Sequence, residues 1–271
     1  MTATTAPIPL PLVRRRNPVT RSLRDAIAVA QRNLITYRRV PQLLVFSTIQ
    51  PVIFVLLFTY VFGGVVSTSL TVPYIDYLMP GIFVQTVVFG AIGTAVGLAT
   101  DVKSGLLERF RSLPMARSAV LAGRTFADLT RNVFVVILMT AVGFAVGFRV
   151  QTNAWLFIAG MLLVLLFGYS MAWIFATLGL VVGDPETAQA AAFPIMAPLV
   201  FASSAFIPVS TMPGWLQAFA EHQPVSVTAS AVRALVLGGP TASYVLQTLA
   251  WCLGILAIAA PIAVWRYRKA V

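Results

Sequence analysis

The chain has 271 residues, of which 59% are hydrophobic and only 10% are charged, and its formal net charge is +11. So few polar side chains cannot cover a soluble core of this size, and the composition therefore excludes a soluble globular protein. Long apolar runs without alternation favour transmembrane helices over a β-barrel, because lipid leaves every backbone group to be satisfied within the protein.

The first 41 residues are predicted to remain on the cytoplasmic side. Residues 1–16 lack the apolar core of a signal peptide and are expected to form a disordered arm. Asn17 followed by Pro18 is typical of a helix start, and apolar residues then recur at helical spacing over four turns. The opposite face carries arginines, among them Arg24, Arg32 and Arg39. We expect an interfacial amphipathic helix at 17–41, with a merely basic juxtamembrane tail as the alternative.

Six uncharged runs can supply the roughly 20 helical residues that cross about 30 Å of hydrocarbon. They lie at 43–62, 77–99, 132–148, 154–182, within 187–207 and within 241–265. The third run can extend backward through 126–129. We therefore expect an all-α membrane domain of six transmembrane helices over 42–265, followed by a basic tail at 266–271. Two patterns typical of close helix contacts lie in these runs, at Gly93-x-x-x-Gly97 and Gly143-x-x-x-Gly147.

Charges are concentrated between the second and third runs, where residues 101–131 hold six basic and three acidic side chains. A helical projection of 102–113 separates an apolar arc from a charged arc, and Pro114 ends the helix. Such a helix is suited to docking a soluble protein. The alternative is a solvated helix in which Glu108 and Arg111 only support each other at i, i+3.

A second charged helix is predicted to begin near Ala116 and to run into the third span. Asp128 lies within helical reach of Arg124 and of Arg131 on this helix. Pairing there would lower the cost of placing charges near the membrane interface.

Residues 208–239, between the fifth and sixth spans, are too apolar for an ordinary exposed loop. We expect short helices that dip back into the membrane from the outer side. Arg233 and Glu221 are interpreted as a rim pair or as solvated charges, and His222 as an ordinary surface residue.

The distribution of Lys and Arg predicts the orientation of the chain. The N-terminal region holds eight, the loop after the second span six and the tail three, which leaves only Arg149 and Arg233 on the other side. This asymmetry places both termini in the cytoplasm of a multi-pass protein of the cytoplasmic membrane. It also explains the net charge through topology and anionic lipid, without a nucleic-acid partner.

The sequence offers no catalytic or cofactor site. It has one histidine and one cysteine, Cys252, so a histidine metal site and a disulfide are both excluded. Neither lysine lies in a phosphate-binding G-x-x-x-x-G-K-[ST] loop, so the chain is not expected to hydrolyse ATP by itself. The apolar centres of the six runs carry no ionisable residue, which argues against an ion-driven carrier.

Two motifs and the order of the parts suggest a family. The loop after the second span reads E-R-F-R-S-L-P at 108–114, and P-V-S-T-M-P-G-W-L-Q follows the fifth span at 208–217, with Q-P-V-S and A-V-R-A-L after it. This arrangement resembles the permease subunits of type-2 ATP-binding cassette exporters, and among them the daunorubicin-resistance group of antibiotic and lipid exporters.

The resemblance implies a separate ATPase as the source of energy. The coupling helix at 101–114 would dock into a groove of that ATPase through Glu108, Arg109, Arg111 and Pro114. Two permeases, either two copies of this chain or this chain and a related one, would pair with two ATPases. ATP and Mg²⁺ would be bound by the ATPase, and no cofactor by this chain.

The resemblance also implies a substrate path where the first, second and fifth spans line a two-fold interface. Candidate path residues are Gln50, Phe54, Gln85, Phe89, Phe201 and Ser203, with Tyr60 and Ser204 as further polar groups. Ordinary helix packing is the alternative for each of them.

The function implied is outward movement of hydrophobic drugs, antibiotics, lipids or glycolipids across the membrane. An ion-driven secondary carrier and a non-transport membrane anchor or assembly factor are the alternatives. The resemblance leaves the substrate open, because it varies widely within such families.

Overall fold

The computed structural model describes residues 42–66, 72–107 and 117–269. Throughout these three stretches the regular elements are helices, which confirms the predicted all-α class. The arm at 1–16, the interfacial helix at 17–41 with Arg24, Arg32 and Arg39, and residues 108–114 of the docking segment lie outside the described residues.

The helices of the described stretches follow one another along the chain. They are α1 (Gln42–Leu57), continued by a π-helical turn (Phe58–Phe62) and a short α-helical turn (Gly63–Val66), then α2 (Tyr74–Lys103), α3 (Arg117–Val146), α4 (Ala154–Val182), α5 (Pro185–Phe201), α6 (Gly214–His222), α7 (Pro224–Leu237) and α8 (Thr241–Lys269). A 3₁₀ turn (Val209–Thr211) precedes α6. The short helices expected within 208–239 are therefore present.

Four of the described helices are long and apolar enough to cross a membrane: Tyr74–Lys103, Leu121–Val146, Ala154–Val182 and Thr241–Arg268. They correspond to the predicted second, third, fourth and sixth spans. The predicted first span corresponds to α1 and its π-helical continuation, and the fifth to α5. Because α5 has 17 residues, its length is about 26 Å, so six spans remain a prediction.

Helix α2 forms the centre of the bundle, and α3, α4, α5 and α7 pack around it. Its fully buried side chains include Leu78, Met79, Ile82 and Phe83. At Gly81 the backbone of the neighbouring chain segment comes so close that a Cβ would overlap the carbonyl oxygen of Ala205. Tight packing of this kind needs a residue without a side chain.

The predicted contact at Gly143-x-x-x-Gly147 is only half right. Gly143 packs against the end of the Met79 side chain, whereas a Cβ at Gly147 would meet no atom within 4 Å. Gly147 has φ +113° and follows the last residue of α3. Its role is to end the helix in a backbone conformation that side chains disfavour.

The end of α2 differs from the predicted docking helix over 102–113. Helix α2 continues through Lys103 and then turns at Gly105, which has φ +68°. Leu107, beyond this turn, is buried in a cluster with Leu98, Leu121 and Trp173. The helix predicted from 102 is therefore interrupted by a turn at Ser104 and Gly105, and its continuation to 113 stays a prediction.

Candidate functional site

A cavity of about 420 Å³ opens among α1, α2, α3 and α5. Its polar lining residues are Gln50, Gln85, Thr86, Arg131, Asn132 and Gln189. Its apolar lining residues are Pro51, Phe89, Ile92, Val96 and Val135, with Gly90 and Gly93 between them. Gln50 and Gln189 are exposed whereas Gln85 is fully buried, so the cavity leads from the surface of the bundle to its interior.

Gly90, Gly93 and Gly97 form a glycine stripe on α2, and this stripe makes room for the guanidinium group of Arg131, which lines the cavity. The Arg131 side chain from α3 lies along Gly90 and Gly93, where a Cβ would come within 3 Å of its guanidinium nitrogens. Arg131 Nη2 donates to the carbonyl oxygen of Gly90 at 2.6 Å and to Oδ1 of Asn132 at 3.3 Å. Gly90 lies roughly 20 Å along the helix from Lys103. The positively charged side chain of Arg131 therefore lines the cavity near the middle of α2.

The Gly93-x-x-x-Gly97 pattern thus accommodates arginine side chains and not a second helix backbone. At Gly97 the arginine is Arg124, one stripe position nearer the end of α2. The apolar helix Leu121–Val146 begins before the predicted third span at 132–148, and its first half includes Arg124, Asp128 and Arg131. The sequence held one indication of this arrangement. Arg124 and Arg131 are seven residues apart, which puts both arginines on one face of α3.

An ionic cluster lies between the glycine stripe and the end of α2. Arg124 Nη1 is 3.4 Å from Asp101 Oδ2, and Arg124 Nε is 3.7 Å from Asp128 Oδ2. Asp128 also accepts a hydrogen bond from Thr94 Oγ1 at 2.7 Å. The predicted pairing of Asp128 with Arg124 is confirmed, and Thr94 and Asp101 are partners that the sequence did not reveal.

The structure divides the six predicted path residues into three environments. Gln50, Gln85 and Phe89 line the cavity together. Phe54 and Phe201 lie instead in a cluster of aromatic rings with Phe206. Ser203 is buried and binds the backbone, accepting from the Ala205 amide at 3.1 Å.

The aromatic cluster comprises Phe54, Phe58, Phe62, Phe201 and Phe206. Phe58 stacks on Phe206 with a centroid distance of 4.4 Å. Its outer edge is open, since Phe201 is exposed and Tyr60, in the same π-helical turn as Phe58 and Phe62, is 72% exposed. Residues of α1 and α5 contribute both to this cluster and to the cavity.

Arg233 is neither a rim pair nor a solvated charge, so that interpretation is wrong. Its Nε donates to the carbonyl oxygen of Tyr77 at 2.9 Å, and its Nη2 donates to the carbonyl oxygens of Ser204 and Ala205. The guanidinium carbon lies 3.7 Å from the centre of the Tyr77 ring. Arg233 therefore fastens α7 to the start of α2 and to the segment after α5, while Glu221 is exposed.

An ion pair joins the ends of α2 and α5 near the predicted docking segment. Lys103 Nζ lies 2.7 Å from Asp184 Oδ1, and Asp184 Oδ2 accepts from the Thr187 amide at 3.0 Å to cap α5. These two interactions lower the pKa of the Asp184 carboxyl well below its ordinary value. The carboxylate is ionised at neutral pH.

The four residues assigned to ATPase docking, Glu108, Arg109, Arg111 and Pro114, lie outside the described residues. Within the part of the chain that is described, no group of three or more His, Cys, Asp or Glu side chains is arranged to hold a metal ion. His222 is exposed and its ring contacts the carbonyl oxygen of Ala218.

Residues 24–237, most of the chain, match the family described as ABC-2 type transporter. The chain belongs to the ABC-2 type transporter family. It is therefore a type-2 ABC permease, as the motifs suggested, and a multi-pass membrane protein.

Individual relatives within the ABC-2 type transporter family carry more specific names. The chain is 36% identical over 240 residues to the daunorubicin resistance ABC transporter permease protein DrrB1 of Streptomyces coeruleorubidus, covering 88% of this chain and 84% of that protein. It is 26% identical over 225 residues to the probable doxorubicin resistance ABC transporter permease protein DrrC of Mycobacterium tuberculosis, covering 83% and 81%. The putative transport permease ycf38 of Porphyra purpurea is 26% identical over 215 residues, covering 78% and 73%.

Proposed function

We propose that this permease is the transmembrane subunit of an ATP-driven exporter that moves amphipathic drugs, antibiotics, lipids or glycolipids outward. The observation that carries the proposal is the cavity among α1, α2, α3 and α5, because it places polar groups inside an otherwise apolar permease. The names of the relatives support drug export as one substrate class.

A separate ATPase supplies the energy in this proposal, and it binds the ATP and Mg²⁺. The docking helix begins after Gly105 and presents Glu108, Arg109, Arg111 and Pro114 to the ATPase. Burial of Leu107 against Leu98 and Leu121 supports this arrangement, since it fixes the start of that helix to the bundle. A movement imposed on the docking helix would then reach α2, which also lines the cavity.

The active assembly contains two permeases and two ATPases. The exposed edge of the aromatic cluster, at Tyr60 and Phe201, is the surface that we assign to the second permease. Each permease has six spans with both termini in the cytoplasm, and the helix at 17–41 lies on the inner leaflet through Arg24, Arg32 and Arg39.

An ion-driven carrier is the competing function, and buried Asp128 is the observation that favours it. Asp128 contacts Arg124 and accepts from Thr94, which gives its carboxylate a structural role that needs no transported proton. The two functions differ in their energy source.

The test reconstitutes the permease with its ATPase in liposomes and follows export of a fluorescent anionic phospholipid. ATP-dependent movement is expected, and movement driven by a proton or sodium gradient without the ATPase would contradict the proposal. The double variant Glu108→Ala, Arg111→Ala should insert normally but lose coupling of ATP hydrolysis to export. The matched control Glu221→Ala, Arg266→Ala removes two exposed charges elsewhere and should keep that coupling.

A further inference from the structure

We propose that Arg131 and Gln85 bind the head group of an anionic amphiphile, one that carries a phosphate or carboxylate beside hydroxyl groups. The proposal rests on the exporter function and names the substrate class that the cavity selects. Each of the two side chains contributes a separate observation.

Arg131 is a cation whose described contacts leave donors unused. A guanidinium carries five N–H groups, and both described hydrogen bonds of Arg131 come from Nη2. Their acceptors are uncharged oxygens of Gly90 and Asn132. No carboxylate among the described residues lies within 4.0 Å of Arg131, since Asp101 and Asp128 contact Arg124. Arg131 lines the cavity, where an oxyanion would be the strongest acceptor for its remaining N–H groups.

Gln85 gives the second, independent observation. Its side chain is 1% exposed and lines the cavity, yet its Oε1 accepts no hydrogen bond from the described part of the chain. A buried amide oxygen without a donor is costly, and a hydroxyl group of a ligand would satisfy it. Glycerol or a sugar attached to the anionic group supplies such a hydroxyl.

The rest of the lining favours an amphiphile over a small soluble anion. Phe89, Ile92, Val96 and Val135 offer apolar surface beside the two polar groups. A cationic head group would be repelled by the positive charge of Arg131. This repulsion is much stronger in the low-dielectric interior of a protein than in water. We therefore expect the affinity of the site to be highest for anionic amphiphiles, lower for zwitterionic ones and lowest for cationic ones.

The test measures binding to the full-length permease in a neutral detergent, without the ATPase, by isothermal titration calorimetry. Dioctanoyl phosphatidylglycerol should bind about tenfold more tightly than dioctanoyl phosphatidylcholine. Arg131→Gln should abolish this preference, and Arg131→Lys should retain part of it. The matched control Arg149→Gln, which removes an exposed arginine, should leave it unchanged.

Two results would overturn the site. One is an unchanged preference for phosphatidylglycerol in folded Arg131→Gln, and the other is sn-glycerol 3-phosphate binding as tightly as the lipid, which would identify a soluble anion as the occupant. If Arg131→Gln does not fold, Gln85→Leu decides, because affinity for phosphatidylglycerol equal to wild type would contradict the role of Gln85. If binding still depends on Arg131 but ATP-driven export is not observed, only the proposed function is contradicted.

Discussion

Lys103 and Asp184 join the last residue of α2 to the residue that caps α5, with Nζ and Oδ1 2.7 Å apart. Both helices line the cavity, and the proposed docking helix follows α2 in the chain. The pair is therefore a physical link between the end of α2 and the start of α5. In the proposed exporter, this is where a movement of the docking helix would arrive.

Asp184→Asn should lower the thermal stability of the permease at neutral pH. The substitution removes the ion pair and weakens the cap at the Thr187 amide. Because the folded pKa of Asp184 is depressed below its ordinary value of 3.8, its contribution is fully present above that value and is lost as the pH falls through the folded pKa. Melting curves of both proteins should differ from pH 5 to 8 and converge in stronger acid.

Lys103→Met separates the two contributions of Asp184. It removes the ion pair and leaves the cap, so its melting temperature should lie between those of wild type and Asp184→Asn. Added salt should reduce the difference between wild type and Lys103→Met, because the pair is exposed. A salt-independent loss would assign the effect to packing of the lysine stem.

Arg233→Met should destabilise the fold by about 3 kcal/mol, because hydrogen bonds to a charged donor contribute about 1.5 to 3 kcal/mol each and several carbonyl groups lose their donor together. The affected groups are the carbonyl oxygens of Tyr77, Ser204 and Ala205. Unfolding in detergent with a denaturant titration measures the change.

Glu221→Gln is the control for Arg233. Glu221 is exposed, so this variant should unfold at the wild-type denaturant concentration. Equal losses from both variants would restore the rim-pair interpretation, in which the two side chains stabilise each other.

The sequence predicted most helices well because apolar runs of 20 or more residues have few alternative structures in a membrane. It also predicted Gln50 and Gln85 as path candidates, since a polar side chain in an apolar run needs an explanation. Both residues line the cavity. Local composition was sufficient for these inferences.

The chemistry of the site depended on contacts that local composition does not contain. Arg131 reaches the cavity only because α3 turns that face toward the glycine stripe of α2, 41 residues earlier in the chain. Arg233 bonds to Tyr77, which lies 156 positions away. Phe54 and Phe201 are predicted path residues, and the sequence did not show that their rings lie 6.3 Å apart, near the carboxyl ends of α1 and α5.

Gly81→Ala should destabilise the bundle by about 2 kcal/mol or more, within the range for overpacked cores. The new methyl group would overlap the backbone carbonyl of Ala205, which cannot move aside as a flexible side chain could. Gly254→Ala is the matched control in α8, where a Cβ meets no atom within 4 Å. Its stability should equal or slightly exceed that of wild type, since alanine favours the helix.

Asp128→Leu should destabilise the permease by about 3 kcal/mol, because removing one member of a buried pair leaves the other charge poorly compensated. Asp128 is 1% exposed, and Arg124 would retain Asp101 at 3.4 Å as its described ionic partner. Thr94→Val removes only the hydrogen bond to Asp128 and should cost about 1 kcal/mol.

The double variant Arg124→Met, Asp128→Leu decides whether the two charges act as a pair. Apolar side chains of similar volume can replace a buried ion pair at little cost, so the double variant should be more stable than Asp128→Leu alone. Additive losses in the four-protein cycle would mean that Arg124 and Asp128 stabilise the bundle independently. In that case the 3.7 Å contact between them contributes nothing measurable, and Asp101 is the functional partner of Arg124.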